Sequence, residues 1–309
     1  MALLFKADNS RLGNWVEAFR RQAPEIELRV FPEVGDPAQV DYALLWAPPP
    51  GLMASLPNLR VVFSLGAGID HLLRDPELPR HLPLVRMVEP GLTAGMAEYV
   101  VMSVLMHHRF MIDYLALQRQ GTWQEIQQIA SEERTVAVLG LGEMGQESLR
   151  RLQPFGFKLL GWSRTAKQVP GVECFHGAEG LKRLLPRAEI LVCLLPLTPE
   201  THGLLDARLF AQLPRGAVVI NAGRGLQQNE ADILAALDSG QLGAASLDVY
   251  HEEPGAAAGP LWRHPRVVAT PHVAAMTMAE TAVAAVIANI KRYERGEALH
   301  NVVELARGY

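Results

Sequence analysis

RTVAVLGLGEMGQESLRRLQPFGFKLLGWSR, residues 134–164, is the stretch whose reading decides the fold. Val136-Ala137-Val138-Leu139 is a short apolar run that stops at Gly140. Gly140-Leu141-Gly142-Glu143-Met144-Gly145 then opens a helical pattern carried by Leu149, Leu152 and Phe155. Strand, glycine turn and helix in that order are what a bound pyrophosphate needs. The first glycine permits the sharp turn, the second lets backbone approach the phosphates, and the third lets helix and strand pack closely. The anion then rests on the N–H groups that open the helix. On its own this pattern is common among α/β proteins, and its neighbourhood adds the specificity. A second strand is expected at Lys158 to Trp162. Where a dinucleotide fold normally places an Asp or Glu for the ribose hydroxyls, this chain has Ser163-Arg164-Thr165, with Lys167 close behind. A carboxylate there would repel a 2′-phosphate, whereas a guanidinium and two hydroxyls hydrogen-bond it. The expected cofactor is therefore NADPH, with NADH as the lesser alternative.

Upstream, Leu3 to Lys6, Glu27 to Phe31, Tyr42 to Trp46, Val61 to Ser64 and Leu84 to Val88 read as strands, with Asn14 to Gln22 as an amphipathic helix between the first two. They predict a small parallel-sheet domain of about 100 residues. Ala47-Pro48-Pro49-Pro50-Gly51 and Leu65-Gly66-Ala67-Gly68 break the pattern at strand C-terminal ends, where open α/β sheets bind ligands. One long helix is expected from about Gly95 to Gln118, apolar enough to be buried against another domain or subunit. Downstream, Ile190 to Leu194, Ala217 to Asn221, Ala244 to Asp248 and Val267 to Ala269 read as further strands, with a helix at Glu230 to Ser239. Thr277-Met278-Ala279-Glu280 has the pattern of a capping box, and Val283, Val286, Ile287 and Ile290 keep helical spacing. That last helix is expected to return the chain to the first domain. The expected division is a discontinuous substrate domain, residues 1–97 plus 282–309, and a dinucleotide domain, residues 98–281.

The 309 residues are 49% hydrophobic, enough to bury a sizeable core. With 29 basic and 33 acidic residues, a formal net charge of -4 and no Lys/Arg-rich block, nucleic acid and anionic membrane are poor partners. Small, partly anionic metabolites are better ones. The apolar run Tyr99 to Met106 stops at His107-His108-Arg109, and Asp8, Asn9 and Arg11 interrupt the apolar start, so neither a membrane span nor a signal peptide is expected and the location reads as cytoplasmic. Cys174 and Cys193 lack metal-ligand spacing and read as reduced thiols; the stretch Gly255 to Gly259 reads as a flexible surface turn.

Three strands of the second half end in unusual polar residues. Ala217-Val218-Val219-Ile220-Asn221-Ala222-Gly223 leads to Arg224-Gly225, Ser246-Leu247-Asp248-Val249-Tyr250 leads to Glu252-Glu253-Pro254, and Val267-Val268-Ala269-Thr270-Pro271 leads to His272. Reduction of a 2-keto acid needs a cation for the carboxylate, a proton donor for the carbonyl oxygen, and a carboxylate that keeps the donor protonated. Arg224 suits the first role, His272 the second, and Glu253 the third, by pairing with the imidazole and raising its pKa. Glu252 competes with Glu253. His107, His108, His176 and His264 read as ordinary surface or core residues, and Met96, Met102, Met106 and Met111 as packing.

In VAVLGLGEMG, LPLTPETHGLL, NAGRG, LDVYHEEP and TPHVAA, which span most of Thr135 to Ala275, the chain resembles the D-isomer-specific 2-hydroxyacid dehydrogenases. Trp162-Ser163-Arg164, Trp46, Ser64 to Gly68, Met96-Ala97-Glu98-Tyr99 and the terminal Ala306-Arg307-Gly308-Tyr309 make it similar, within them, to the NADPH-dependent glyoxylate/hydroxypyruvate reductase A group. The resemblance implies two doubly wound parallel-sheet α/β domains, a flavodoxin-like one for substrate and a Rossmann-type one for the dinucleotide. It implies Arg224, Glu253 and His272 as the catalytic set. It implies cofactor contacts at Gly140, Gly142, Glu143, Met144, Gly145, Ser163, Arg164, Thr165, Lys167, Leu195, Pro196, Thr201, Ala222, Gly223 and Asp248, the last near the nicotinamide amide. Substrate contacts would come from Trp46, which reads equally as core, and from backbone N–H groups of Leu65, Gly66 and Ala67, besides Arg224 and His272. Apart from the resemblance, the many apolar residues of the helix after Gly95 predict a homodimer. Gly223 departs from the Ala or Ser usual in the family, and His202 lies in a variable loop. Other readings are a relative acting on phosphoglycerate or a larger keto acid, which a small pocket at Trp46 disfavours, and a non-catalytic dinucleotide-sensing scaffold, which an intact Arg224, Glu253 and His272 disfavours.

Overall fold

A computed structural model describes residues 1–7, 12–253 and 255–305. Pro254 of LDVYHEEP and the terminal Ala306-Arg307-Gly308-Tyr309 lie outside the described residues. The chain divides into two compact units, Met1–Leu92 with Thr277–Tyr309, and Thr93–Met276.

In the first unit, β1 (Ala2–Lys6), β2 (Glu27–Val30), β3 (Val40–Leu45), β4 (Val61–Ser64) and β5 (Leu84–Val85) form a parallel sheet in the order β2-β1-β3-β4-β5. This is the flavodoxin-like order, with a switch point beside β1. Helix α1 (Leu12–Gln22) stacks Trp15 on Phe5 of β1 with ring centroids 5.3 Å apart. The short α2 (Asp70–Leu73) buries Leu72 with Leu4, Ala43, Leu45 and Val62 on the other face of the sheet.

The second unit begins within α3 (Pro90–His108), continues through α4 (Met111–Arg119), and alternates strands with helices: β6 (Thr135–Leu139), α5 (Glu143–Leu152), β7 (Lys158–Ser163), β8 (Glu173–His176), α6 (Gly177–Leu184), β9 (Ile190–Cys193), α7 (Ala207–Phe210), β10 (Ala217–Asn221), α8 (Glu230–Asp238), β11 (Leu242–Leu247), α9 (Pro260–Arg263) and β12 (Val267–Ala269). All seven strands are parallel, ordered β12-β11-β10-β9-β6-β7-β8. The order reverses between β6 and β9, the crevice where doubly wound sheets bind ligands. Alternation along the strands splits the core in two. Ala137, Leu139, Leu191, Cys193, Ala217 and Val219 pack on one face, while Val136, Val138, Ile190, Val192 and Ile220 pack on the other. That is why the strands read as continuous apolar runs. Finally α10 (Ala279–Glu294) belongs to the first unit and packs along α1, with Arg21 paired to Glu280.

Three expectations about helices need correction. The single helix from Gly95 to Gln118 is two helices bent by 60°, because Phe110 takes a left-handed φ of 58° that ends α3 and starts α4. Its start lies earlier, at Pro90, where proline costs no hydrogen bond in the first turn and the Glu89 carboxylate caps the N–H groups of Gly91 (2.7 Å) and Leu92 (2.6 Å). The expected capping box at Thr277 does not form. Met278 is the N-cap of α10, and Thr277 instead donates its hydroxyl to the Leu65 carbonyl at 2.8 Å. Among the described residues no single helix is long and apolar enough to cross a membrane; α3 and α4 reach that length only as the bent pair.

Candidate active site

At the glycine turn each glycine meets a different constraint. Gly140 has φ +107°, and a Cβ there would lie 2.7 Å from the Leu194 carbonyl oxygen. Gly145 sits so close beneath the turn that its Cβ would lie 1.8 Å from the Gly140 oxygen, which lets α5 press onto β6. Around Gly142, the N-cap of α5, a Cβ would meet nothing within 4 Å, and no side chain caps the helix. An open approach to uncapped N–H groups at the start of a ten-residue helix suits a pyrophosphate, so the residues present fit a dinucleotide. Glu143 opens that helix, and Met144 packs against the core.

At the end of β7 the Ser163 hydroxyl donates to the Thr165 carbonyl at 2.8 Å, which turns the chain after the strand. Arg164 and Thr165 are exposed there, and Lys167 reaches back to the Leu141 carbonyl within the glycine turn at 2.8 Å. Two cations thus lie beside the expected adenosine end with no carboxylate at the strand's tip.

The sheet's other strand ends carry the polar set. Glu253 Oε2 accepts from His272 Nδ1 at 2.7 Å, and its Oε1 accepts the Tyr250 N–H at 2.7 Å. Of the two candidate acids, Glu253 is the one at the imidazole. Burial pushes its carboxyl up, but hydrogen bonds from His272 and Tyr250 and the charges of His272 and Arg224 outweigh that and hold it below the usual value. Because the carboxylate accepts at Nδ1, that nitrogen carries a hydrogen and Nε2 is left as the atom for exchange with substrate. The two side chains are each about one-third exposed, at 34% and 35%, so solvent reaches them. Arg224 extends from the loop after β10, its guanidinium donating to the Gly223 carbonyl at 2.8 Å. Gly225 brings this loop onto the Glu253 loop, since a Cβ at that position would lie 1.9 Å from the Tyr250 oxygen.

Asp248, expected beside the nicotinamide, commits both carboxylate oxygens to the loop of His272, accepting from Thr270 Oγ1, Val273 N and Ala274 N. Sequence reasoning missed Gln227. Fully buried, its amide accepts the Arg224 N–H at 2.8 Å and donates to the Leu195 and Pro196 carbonyls, each at 2.9 Å, tying two strand-end loops together. Thr201 braces the same loop by donating to the Pro196 carbonyl at 2.7 Å. Ala222 is buried, its N–H on the Cys193 carbonyl. Gly223 is explained by Gln227, because a Cβ there would lie 2.3 Å from Gln227 Oε1. A polar residue in a buried slot just after a strand was the available signal. His107 is buried against the Ser246 hydroxyl at 2.8 Å and driven down to about 4 by burial, and burial pushes the Cys193 thiol up to about 11.

In the first unit Trp46 packs over the Gly66 backbone, where a Cβ would lie 2.9 Å from its ring, and stacks on His71 with centroids 4.3 Å apart. Leu65 is corrected as a carboxylate donor. Its N–H continues the sheet ladder to the Leu45 carbonyl at 3.1 Å, and the Gly66 N–H reaches Ser64 Oγ at 3.2 Å.

Residues 101–274 match the family description "D-isomer specific 2-hydroxyacid dehydrogenase, NAD binding domain". The chain is 41% identical over 300 residues, 96% of both chains, to the glyoxylate/hydroxypyruvate reductase A of Yersinia enterocolitica. This chain belongs to the D-isomer specific 2-hydroxyacid dehydrogenase family. Two solved structures extend the likeness of the dehydrogenase over its whole length. One is a D-isomer specific 2-hydroxyacid dehydrogenase from Xanthobacter autotrophicus Py2 in complex with NADPH and MES, at 41% identity and TM-score 0.95, covering 100% of this chain and 99% of that one. The other is an NADPH-dependent glyoxylate/hydroxypyruvate reductase from Sinorhizobium meliloti in complex with NADP and sulfate, at 40% identity, TM-score 0.94 and the same coverage.

Proposed function

We propose that this dehydrogenase reduces a small 2-keto acid, glyoxylate or hydroxypyruvate, to the 2-hydroxy acid with NADPH. The observation that carries the reading is the His272–Glu253 pair at 2.7 Å, built on the same parallel sheet as the glycine turn. The reductase name of its 41% identical relative and the NADPH and NADP complexes of its structural neighbours support the substrate class and the cofactor.

The cofactor is assigned to the glycine turn, Glu143, Met144, Leu195, Pro196, Thr201, Ala222 and Gly223, with Ser163, Arg164, Thr165 and Lys167 taking the 2′-phosphate. Bound there, NADPH supplies the hydride for the carbonyl carbon. Arg224 holds the substrate carboxylate through paired N–H donors. His272 gives its Nε2 proton to the carbonyl oxygen as negative charge develops on it. Glu253 fixes the orientation and tautomer of the ring by its Nδ1 hydrogen bond. Trp46, Gly66 and Ala67 are assigned to the substrate on the sequence match.

The enzyme is further proposed to be a cytoplasmic homodimer. Free Cys174 and Cys193 suit a reducing compartment. Met102 on α3, Met111 and Leu115 on α4, and Trp123, which is 98% exposed, are large apolar side chains on the surface of the single chain, and a two-fold partner would cover them. Steady-state turnover with glyoxylate, hydroxypyruvate and pyruvate, each with NADPH and NADH, tests the function. Turnover of glyoxylate or hydroxypyruvate with NADPH well above the other combinations is expected. No turnover of any pair would overturn the enzyme reading in favour of a dinucleotide-sensing scaffold.

A further inference from the structure

His272 occupies a backbone conformation that must be held in place. Its φ of 54° lies in the left-handed region, where a residue with a side chain is strained, and Pro271 before it offers no N–H for anchoring. The surrounding bonds converge on one residue. The His272 N–H donates to the Asp248 carbonyl at 2.8 Å. The Asp248 carboxylate, 1% exposed, takes the Val273 N–H at Oδ1 and the Ala274 N–H at Oδ2, both at 2.8 Å.

Its third donor fixes the direction of a longer chain. The Thr270 hydroxyl donates to Asp248 Oδ1 at 2.6 Å, and a hydroxyl has one hydrogen. Tyr99 Oη, 2.8 Å from Thr270 Oγ1, must then donate to that hydroxyl oxygen. Burial pushes the Tyr99 phenol up to about 12, so it keeps the proton it donates. The chain runs one way, from α3 through Thr270 and Asp248 to the residues on both sides of the His272 ring.

We propose that Tyr99 and Thr270 are positioning residues for the reduction, holding His272, through the Asp248 carboxylate, in the backbone arrangement that places its ring against Glu253. The inference rests on His272 being the proton donor. Removing the Thr270 hydroxyl leaves Asp248 with two donors and releases one side of the strained turn. A buried carboxylate short of a donor draws in a replacement, and the turn is the part able to move.

Thr270→Val, Thr270→Ser and Tyr99→Phe test this in the full-length enzyme through kcat and KM for glyoxylate with NADPH, and through the imidazole NMR signal of His272, assigned from its loss in His272→Ala. Thr270→Val should lower kcat by about tenfold or more with KM for glyoxylate little changed, the pattern of a misplaced reacting group. Thr270→Ser, which keeps the hydroxyl, should restore kcat to near wild type, and Tyr99→Phe should fall between. The single His272 signal should broaden or split in Thr270→Val. Wild-type kcat with an unchanged His272 signal in Thr270→Val would overturn the proposal, as would a Ser variant impaired as much as the Val variant. If the wild-type enzyme turns over no keto acid, the functional reading fails, and the NMR comparison alone decides whether the hydroxyl chain holds the ring.

Discussion

Arg164 is exposed, so removing its guanidinium probes cofactor choice without disturbing a core. Arg164→Ala should raise KM for NADPH by about tenfold or more, as expected for losing a charged hydrogen bond of about 1.5–3 kcal/mol, and leave KM for NADH nearly unchanged. Equal effects on both cofactors would rule out the 2′-phosphate contact. Glu253 offers a second test, through pH. Its carboxyl is held below the ordinary value of 4.5, so the pair's stabilisation is complete above that value and is lost as pH falls through the lowered one. Glu253→Gln lacks this acid step. The melting-temperature advantage of wild type over the variant should therefore shrink as pH falls below about 5, and a constant advantage down to about pH 3 would contradict the pairing. In sequence, Glu253 and His272 stood out as polar residues after apolar strands. Gln227 did not, because its importance lies in what its amide touches, the Arg224 N–H and two carbonyls more than thirty residues upstream.

The β6–turn–α5 element carries its own prediction, since two of its glycines answer to opposite constraints. Gly145→Ala puts a methyl 1.8 Å from the Gly140 oxygen, so α5 must lift from β6, and both melting temperature and NADPH affinity should fall, at a cost of about 1–3 kcal/mol or more in stability. Gly142→Ala meets open space, so stability should hold while NADPH binding weakens by about tenfold. Thermal melts and fluorescence titrations of the two variants check this, and equal behaviour would contradict the division of roles. The central strands were legible as elements because both faces are buried, which leaves unbroken apolar runs. Edge strand β8 was not, as Glu173 and His176 are exposed and interrupt its apolar signal. The break at Phe110 was also hidden. No glycine or proline marks it, and a left-handed aromatic residue is set by surroundings rather than by its type.

At the scale of the molecule, light scattering at micromolar concentration should give twice the chain mass, since Met102, Met111, Leu115 and Trp123 leave apolar surface exposed on one chain. A monomer would contradict the dimer. The presence of two parallel sheets was readable from the alternation of strands and helices, and the strand orders then place each switch point. Less readable was the reach of a single buried carboxylate. Asp248, read in the sequence as a cofactor contact, also organises the loop of His272. Everything assigned to this dehydrogenase turns on that histidine's proton. The most direct test compares wild type and His272→Ala for NADPH-dependent glyoxylate reduction, with NADPH affinity measured on the same samples. Turnover should fall by about 10²- to 10⁴-fold, the range of a lost general acid, while NADPH binds as before. An alanine variant that kept wild-type turnover would contradict the account.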